Sequence, residues 1–320
     1  MEFSSDYFSS LLEQGLRDIK YPTLGPRLFD PVRYTLEGGG KRLRPSLLMA
    51  SYASISGKDP QNVLSQALAV EMFHNFTLVH DDVMDNAELR RGRPTVFTRW
   101  NTPAAVLSGD AMLTMASVLL NTGYDTLAPV LNSVFNNMAL EVYQGQQLDM
   151  EFEKRDNVSV DEYIEMIRLK TSVLLAASCE LGTILAGASD DVRRAFSSYG
   201  EALGLAFQLR DDWLDTYGDA AVFGKEIGGD IINRKKTWLL ITALDEAPEL
   251  ADVLAEDLAD SELVQHVRRQ YDALDLGERC RELAQQYSDK AIRALRGVEI
   301  DSRAMDYFVM LARNASTRDH

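Results

Sequence analysis

Zinc chemistry and disulfide scaffolding are excluded by scarcity, since 320 residues hold only two cysteines and four histidines. Cys179 and Cys280 belong to no CxxC pair and no Cys/His ligand spacing. Both fall in helical patterns, so buried, inert thiols are expected. The P-loop glycine pattern and the EF-hand calcium loop have no match, which removes the common nucleotide cradle and the common Ca²⁺ loop. Positive charge is also short, at 33 Lys and Arg against 49 Asp and Glu, for a net −16. That balance argues against nucleic-acid partners and anionic membrane surfaces, while leaving room for a local basic patch. The N-terminal residues carry no cationic region or apolar run of a secretory signal. The apolar stretch at 172–188 is broken by Glu180 and Gly182, which suits a buried helix better than a membrane span. A reducing cytoplasm and no stable membrane insertion are therefore expected.

Alternating β-branched runs are nearly absent as well, and apolar residues recur at helical spacing almost throughout. The fold class is all-α. Helices are predicted over 5–19, 28–36, 43–56, 61–87, 104–122, 128–153, 160–187, 190–217, 235–245, 249–257, 260–271, 274–296 and 301–315. The central ones are apolar on more than one face, as in the middle of a large bundle of long antiparallel helices. Gly, Pro and Asn gather at 38–40, 57–60, 92–103, 156–159 and 218–229, yet none of these breaks has the length and composition of a linker. A single domain over 1–320 is expected.

What the chain does have is one acidic pattern twice, Asp81-Asp82-Val83-Met84-Asp85 and Asp211-Asp212-Trp213-Leu214-Asp215. Carboxylates at i, i+1 and i+4 put the first and last above one another on a helix face, with the middle one beside them. Clustered anions repel unless a cation sits among them. Mg²⁺ fits best, because it takes a few carboxylates and completes its shell with water and phosphate oxygens. Spacing alone proves little: Glu256-Asp257-Leu258-Ala259-Asp260 has it too. That segment lacks basic, glycine or aromatic company and reads as a solvated helix face.

The two motifs differ in their neighbours. His74, Leu78, Asp81 and Asp85 form one stripe, so His74 shares the carboxylate face, whereas His80 lies off it and reads as a packing or loop-contact residue. Arg90-Arg91-Gly92-Arg93 follows at once, with planar donors suited to phosphate and a glycine for the turn. Gly38-Gly39-Gly40-Lys41-Arg42-Leu43-Arg44 is a second anion-binding candidate. Gly204, Gln208, Asp211 and Asp215 repeat the stripe, and Lys170-Thr171, Lys225 and Arg234-Lys235-Lys236 add cations. Two metal-binding clusters and several phosphate-binding ones among apolar helices imply substrates with diphosphate heads and hydrophobic tails.

On GGGKRLRP (38–45), HDDVMDNAELRRGRPT (80–95), KT (170–171), QLRDDWLD (208–215) and GKEIGGDI with RKKT (224–237), the chain resembles the trans-isoprenyl diphosphate synthases, or polyprenyl synthetases. The resemblance implies an isoprenoid-synthase-like bundle around a central cavity. It implies condensation of isopentenyl diphosphate with an allylic diphosphate (dimethylallyl, geranyl or farnesyl) by ionisation, condensation and elimination. The expected cofactor is Mg²⁺, three ions per site with Mn²⁺ as substitute, and the expected assembly a homodimer. Asp81, Asp85 and Asp211 match direct metal ligands, and Asp82, Asp212 and Asp215 match supporting ones. Arg90, Lys170 and Lys225 match contacts to the allylic diphosphate, with Thr171, Gln208 and Lys235 near that head. Lys41, Arg44, His74 and Arg91 match the isopentenyl diphosphate pocket. The catalytic set so implied is Asp81, Asp82, Asp85, Arg90, Lys170, Asp211 and Lys225.

Similar enzymes set product length with bulky residues below the first motif. Phe76 stands about 7 to 8 Å and Phe73 about 12 Å down the helix from Asp81, at 1.5 Å per residue. Phe76 with small Thr77 is the pattern of short-chain synthases making C15 or C20 products. Two other readings compete. A class I terpene cyclase also uses an Asp-rich metal site, but needs no isopentenyl diphosphate pocket. A non-catalytic acidic helical metal-binding protein needs neither basic cluster.

Overall fold

The computed structural model describes residues 2–218 and 227–317. Helices carry most of it: α1 (Ser5–Asp18), α2 (Asp30–Leu36), α3 (Leu43–Ser56), α4 (Leu64–Met84), α5 (Val96–Arg99), α6 (Thr102–Leu120), α7 (Ala128–Phe152), α8 (Val160–Ile167), α9 (Val173–Leu185), α10 (Asp190–Tyr217), α11 (Gly229–Ile232), α12 (Trp238–Glu246), α13 (Leu250–Ala255), α14 (Asp260–Ala273), α15 (Leu276–Ala294) and α16 (Ser302–Thr317). The two-residue strands β1 (Leu89–Arg90) and β2 (Arg93–Pro94) form an antiparallel hairpin with Arg90 opposite Arg93. The all-α expectation holds.

Local chemistry explains where helices begin. Ser159 and Glu162 make a reciprocal capping box at the start of α8, and the Asn101 side chain accepts from the Ala104 N–H at the start of α6. Several predicted boundaries moved, both ends of α4 among them. Pro60 launches a 3₁₀ turn over Pro60–Val63, so α4 starts at Leu64 rather than 61. It ends at Met84 because Asn86 takes a left-handed φ of 51° and leads into the hairpin. Another prediction, one helix over 160–187, is interrupted by a π-helical segment at Arg168–Ser172, which carries Lys170 and Thr171. Periodicity cannot reveal one extra residue in a turn.

The chain divides into two compact units. The first comprises Met1–Asn136, Ser178–Arg193 and Glu299–Ala304. Its centre is α4, buried on several faces through residues such as Val70, Met72, Phe73 and Phe76, and packed closely against α6, whose Ala105, Met112 and Ala116 are buried. Among the described residues α6 is also the one helix long and apolar enough to cross a membrane, though only a third of its most apolar window is buried. The second unit comprises Asn137–Ala177, Arg194–Val298 and Met305–His320. Its core gathers Phe152, Tyr163, Leu209, Ile231, Trp238, Val267, Tyr271 and Cys280. Phe308 packs edge-on to Phe196 and Tyr199, whose hydroxyl donates to the Phe308 carbonyl at 2.7 Å.

Candidate active site: two acid–base clusters

In the first unit α4 delivers Glu71, His74, Asp81 and Asp82, and α3 delivers Arg44. Arg44 donates to His74 Nε2 at 3.2 Å, so that nitrogen is unprotonated. Burial, and then the guanidiniums of Arg44, Arg91, Arg90 and Arg42, hold His74 well below the usual histidine range. It is a neutral imidazole among cations. Burial also pushes Arg44 down to about 10, still charged at neutral pH. Arg42 is structural: it binds Glu71 at 2.5 Å, Glu13 at 2.9 Å and the Leu36 carbonyl at 2.7 Å, tying α1, α2 and α4 together. Lys41 is exposed.

The hairpin after α4 presents the paired arginines. Arg90 and Arg93 pair across it, and Arg91 and Gly92, with φ of 53° and 71°, take its two left-handed turn positions. Arg90 Nε donates to Asp82 at 2.6 Å, and burial of Asp82 raises its carboxyl pKa against the pull of Arg90. Arg91 donates to the Gly39 carbonyl. Its guanidinium lies so close to residue 40 that a Cβ there would sit 2.9 Å from Nη1. The triple-glycine loop and the arginine hairpin therefore interlock. Tyr34 braces the far strand, donating to the Pro94 carbonyl at 2.7 Å beneath the Arg93 guanidinium at 4.1 Å.

Asp85, just past α4, is exposed; Asp81 is half-buried. Phe76 and Phe73 are buried on the same helix, ring centroids 5.5 Å apart, and Thr77 donates back to the His74 carbonyl at 2.8 Å.

In the second unit α10 delivers Gln208, Asp211, Asp212 and Asp215. Asp212 is buried, accepting from the Tyr163 hydroxyl and from Gln208 Nε2 at 2.9 Å, while Thr171 donates to Gln208 Oε1 at 3.1 Å. Burial, reinforced by Asp230, raises Asp212 to about 7. Asp215 accepts from the Asp230 N–H at 2.8 Å. Lys235, half-exposed and 3.8 Å from Asp230, is pushed up chiefly by that carboxylate. Lys170 is 2.5 Å from Asp149 on α7. Lys225 lies outside the described residues.

The middle carboxylate of each motif, Asp82 or Asp212, thus points into protein contacts. Asp81 and Asp211 lie on their helices one residue before it, Asp85 stands just past the end of α4, and Asp215 takes the Asp230 N–H. Among the described residues no three carboxylate, imidazole or thiol groups converge into a ready-made cage. Mg²⁺ seldom uses one, since it keeps waters and binds through one or two carboxylates plus substrate phosphates. The all-oxygen donor set fits such an ion, and the repulsion from Asp230 that adds to burial in raising Asp212 is one a cation would relieve.

Sequence reasoning missed Asp149, Tyr163, Asp230 and Tyr34. Asp149 had a signal. It follows Gly145 in mid-helix, where a Cβ would fall on the backbone of Lys170, and a glycine inside a helix often marks such close approach.

This arrangement of acid and base on long helices recurs in known proteins. The polyprenyl synthetase pattern matches residues 26–274. The chain belongs to that family. It is accordingly an enzyme of prenyl transfer, in a family that is generally Mg²⁺-dependent. A geranylgeranyl pyrophosphate synthase from Geoglobus acetivorans is 37% identical over 297 residues, covering 92% of this chain and 91% of its own. A geranylgeranyl diphosphate synthase from Methanosarcina mazei is 39% identical over 244 residues, covering 76% and 75%. A crystal structure of a geranylgeranyl pyrophosphate synthase matches the whole of both chains with a TM-score of 0.94 at 37% identity.

Proposed function

We propose that this polyprenyl synthetase is a short-chain trans-prenyl diphosphate synthase. It condenses isopentenyl diphosphate with dimethylallyl, geranyl or farnesyl diphosphate to give a C15–C20 all-trans product, C20 being favoured. The observation that carries the reading is that each acidic motif is set beside a cation in its own unit, Asp82 with Arg90 and Asp211 and Asp212 with Lys235. Such mixed-charge clusters suit a metal diphosphate, which is anionic and cationic at once.

Both clusters serve one reaction. Asp81, Asp85 and Asp211 would hold Mg²⁺, or Mn²⁺ in its place, three ions per site, with Asp82, Asp212 and Asp215 in support. When bound, the metal neutralises charge building on the departing diphosphate. Arg90, Lys170 and Lys225 take that diphosphate's oxygens, with Thr171, Gln208 and Lys235 beside them, so the allylic C–O bond breaks toward a carbocation. Arg44, Arg91, Lys41 and neutral His74 take isopentenyl diphosphate, where the uncharged imidazole, its Nε2 accepting from Arg44, can donate from Nδ1 to a phosphate oxygen without adding charge. Buried apolar side chains keep water from the cation. The released diphosphate takes the proton lost on elimination.

The floor reading stays with Phe76 and Phe73. Single-domain organisation, a cytoplasmic site without membrane insertion or nucleic-acid binding, and a homodimer complete the proposal. Val106, Leu107 and Val118 on α6 are 41%, 57% and 66% exposed, an apolar face that a second copy would cover. Replacing Leu107 and Val118 with Glu should then yield monomers in light scattering; an unchanged mass would place the interface elsewhere.

The decisive assay is mass spectrometry of products from isopentenyl diphosphate with each C5, C10 and C15 starter, with and without Mg²⁺. Chain-extended diphosphates only with both substrates and metal are expected. Consumption of one allylic diphosphate alone to a hydrocarbon would instead mark a terpene cyclase.

A further inference from the structure

Four aromatic rings run edge-to-face through the first unit: Phe135 to Phe73 at 5.2 Å, Phe73 to Phe76 at 5.5 Å, and Phe76 to His80 at 4.8 Å. At one end the row closes in buried core, Phe135 and Phe73 being 2% and 0% exposed. At the other end stands His80, half-buried. Its Nε2 lies 3.2 Å from the Val106 carbonyl on α6. A carbonyl can only accept, so Nε2 carries the hydrogen and donates. The imidazole fits there because residue 109, the next turn of α6, is glycine; a Cβ would fall on its Nε2 and Cδ2. His80 also sits about 100° around the helix from Asp81, away from the carboxylate face.

We propose that His80 is a positioning residue for product length: clamped between the α6 backbone and the Phe76 ring, it keeps Phe76 across the path of the growing chain. Phe76 is backed on one side by Phe73, which the core holds, and on the other by His80, which one hydrogen bond and the missing Cβ of Gly109 hold. Phe76 yields on that second side. Length control is thereby shared with α6, outside the motif.

The inference rests on the floor reading above, and one product assay separates the two. Products from isopentenyl diphosphate, geranyl diphosphate and Mg²⁺ are compared by mass spectrometry for the wild type, Phe76→Ala, His80→Ala, His80→Phe and Gly109→Ala. His80→Ala, and Gly109→Ala through displacement of the imidazole, should each raise the fraction of products beyond the wild-type length about tenfold, the weight of one hydrogen bond with its ring contact. His80→Phe restores the ring wall and should return the distribution toward wild type. The two alanine variants alter different helices, so failure of one to fold leaves the other as the test. If folded His80→Ala or Gly109→Ala keeps the wild-type distribution while Phe76→Ala lengthens it, the clamp is overturned and the floor stands. If Phe76→Ala also leaves length unchanged, the floor itself is wrong, and the clamp with it.

Discussion

Replacing Gly204 by alanine tests how the π-segment presents Lys170 and Thr171. A Cβ at 204 would stand 2.6 Å from Ser172 Cα and 2.7 Å from its Cβ and Oγ. Ser172 is buried with its hydroxyl unpartnered, and closes the segment that holds Thr171 to Gln208. Overpacking of this kind costs about 1 to 3 kcal/mol, against about 1 kcal/mol gained by alanine over glycine inside a helix. The net is a loss of at most about 2 kcal/mol. Spread over 320 residues at roughly 2 cal/mol/K each, that lowers Tm by about 3 °C or less. Kinetics should suffer more than stability, because the strain is relieved by moving Ser172 and with it Thr171 and Lys170. KM for the allylic substrate should rise about tenfold, one lost charge-assisted contact, while KM for isopentenyl diphosphate changes less. Calorimetry and steady-state assays of Gly204→Ala, Ser172→Gly and the double variant read both effects. Recovery in the double variant is expected. A Gly204→Ala enzyme with raised Tm and unaltered KM values would refute the argument.

Asp81→Ala and Asp211→Ala should each cut turnover by about a thousandfold or more while leaving the far-UV spectrum intact; near-normal activity in either would remove that residue from the site. His74 keeps its folded pKa below its unfolded value, so the unfolded chain binds the proton first as pH falls. Its contribution to stability is therefore complete above about pH 6.5 and is lost below it. The drop in Tm between about pH 7.5 and about pH 5.5 should be smaller in His74→Gln than in wild type, and an equal drop would contradict the assignment. Burial raises the Cys179 thiol to about 12 and raises Cys280 too. Native protein should leave an aromatic disulfide reagent nearly unreacted and denatured protein should take up two equivalents, whereas prompt native labelling would mean a thiol is accessible.

Much of this was legible in the sequence, for identifiable reasons. The helices α3, α7 and α10 match the predicted ranges to within a residue at each end, because their apolar positions recur at helical spacing over more than three turns. The paired acidic motifs could be found because carboxylates and arginines gathered in one stretch have few structural uses. What spacing could not reveal was contact between distant segments. Asp149 meets Lys170 across 21 residues, and Tyr163 meets Asp212 across 49. Arg42 sits between Lys41 and Leu43, with Arg44 beyond, yet folds inward to Glu71 while Lys41 stays exposed. Only the left-handed turn at residue 42, φ 49°, separates their fates.

The π-segment at 168–172 has one more implication. A widened turn holds one residue beyond what the α-helix requires, so the helical faces before and after it are out of step by about 100°. Lys170 and Thr171 ride on that surplus. Deleting a single residue there would leave a chain able to wind as plain α-helix from α8 into α9, with the length of the element almost kept and its chemical display gone. In this one element the surplus residue is what serves reactivity, and the rest of the helix could be built without it.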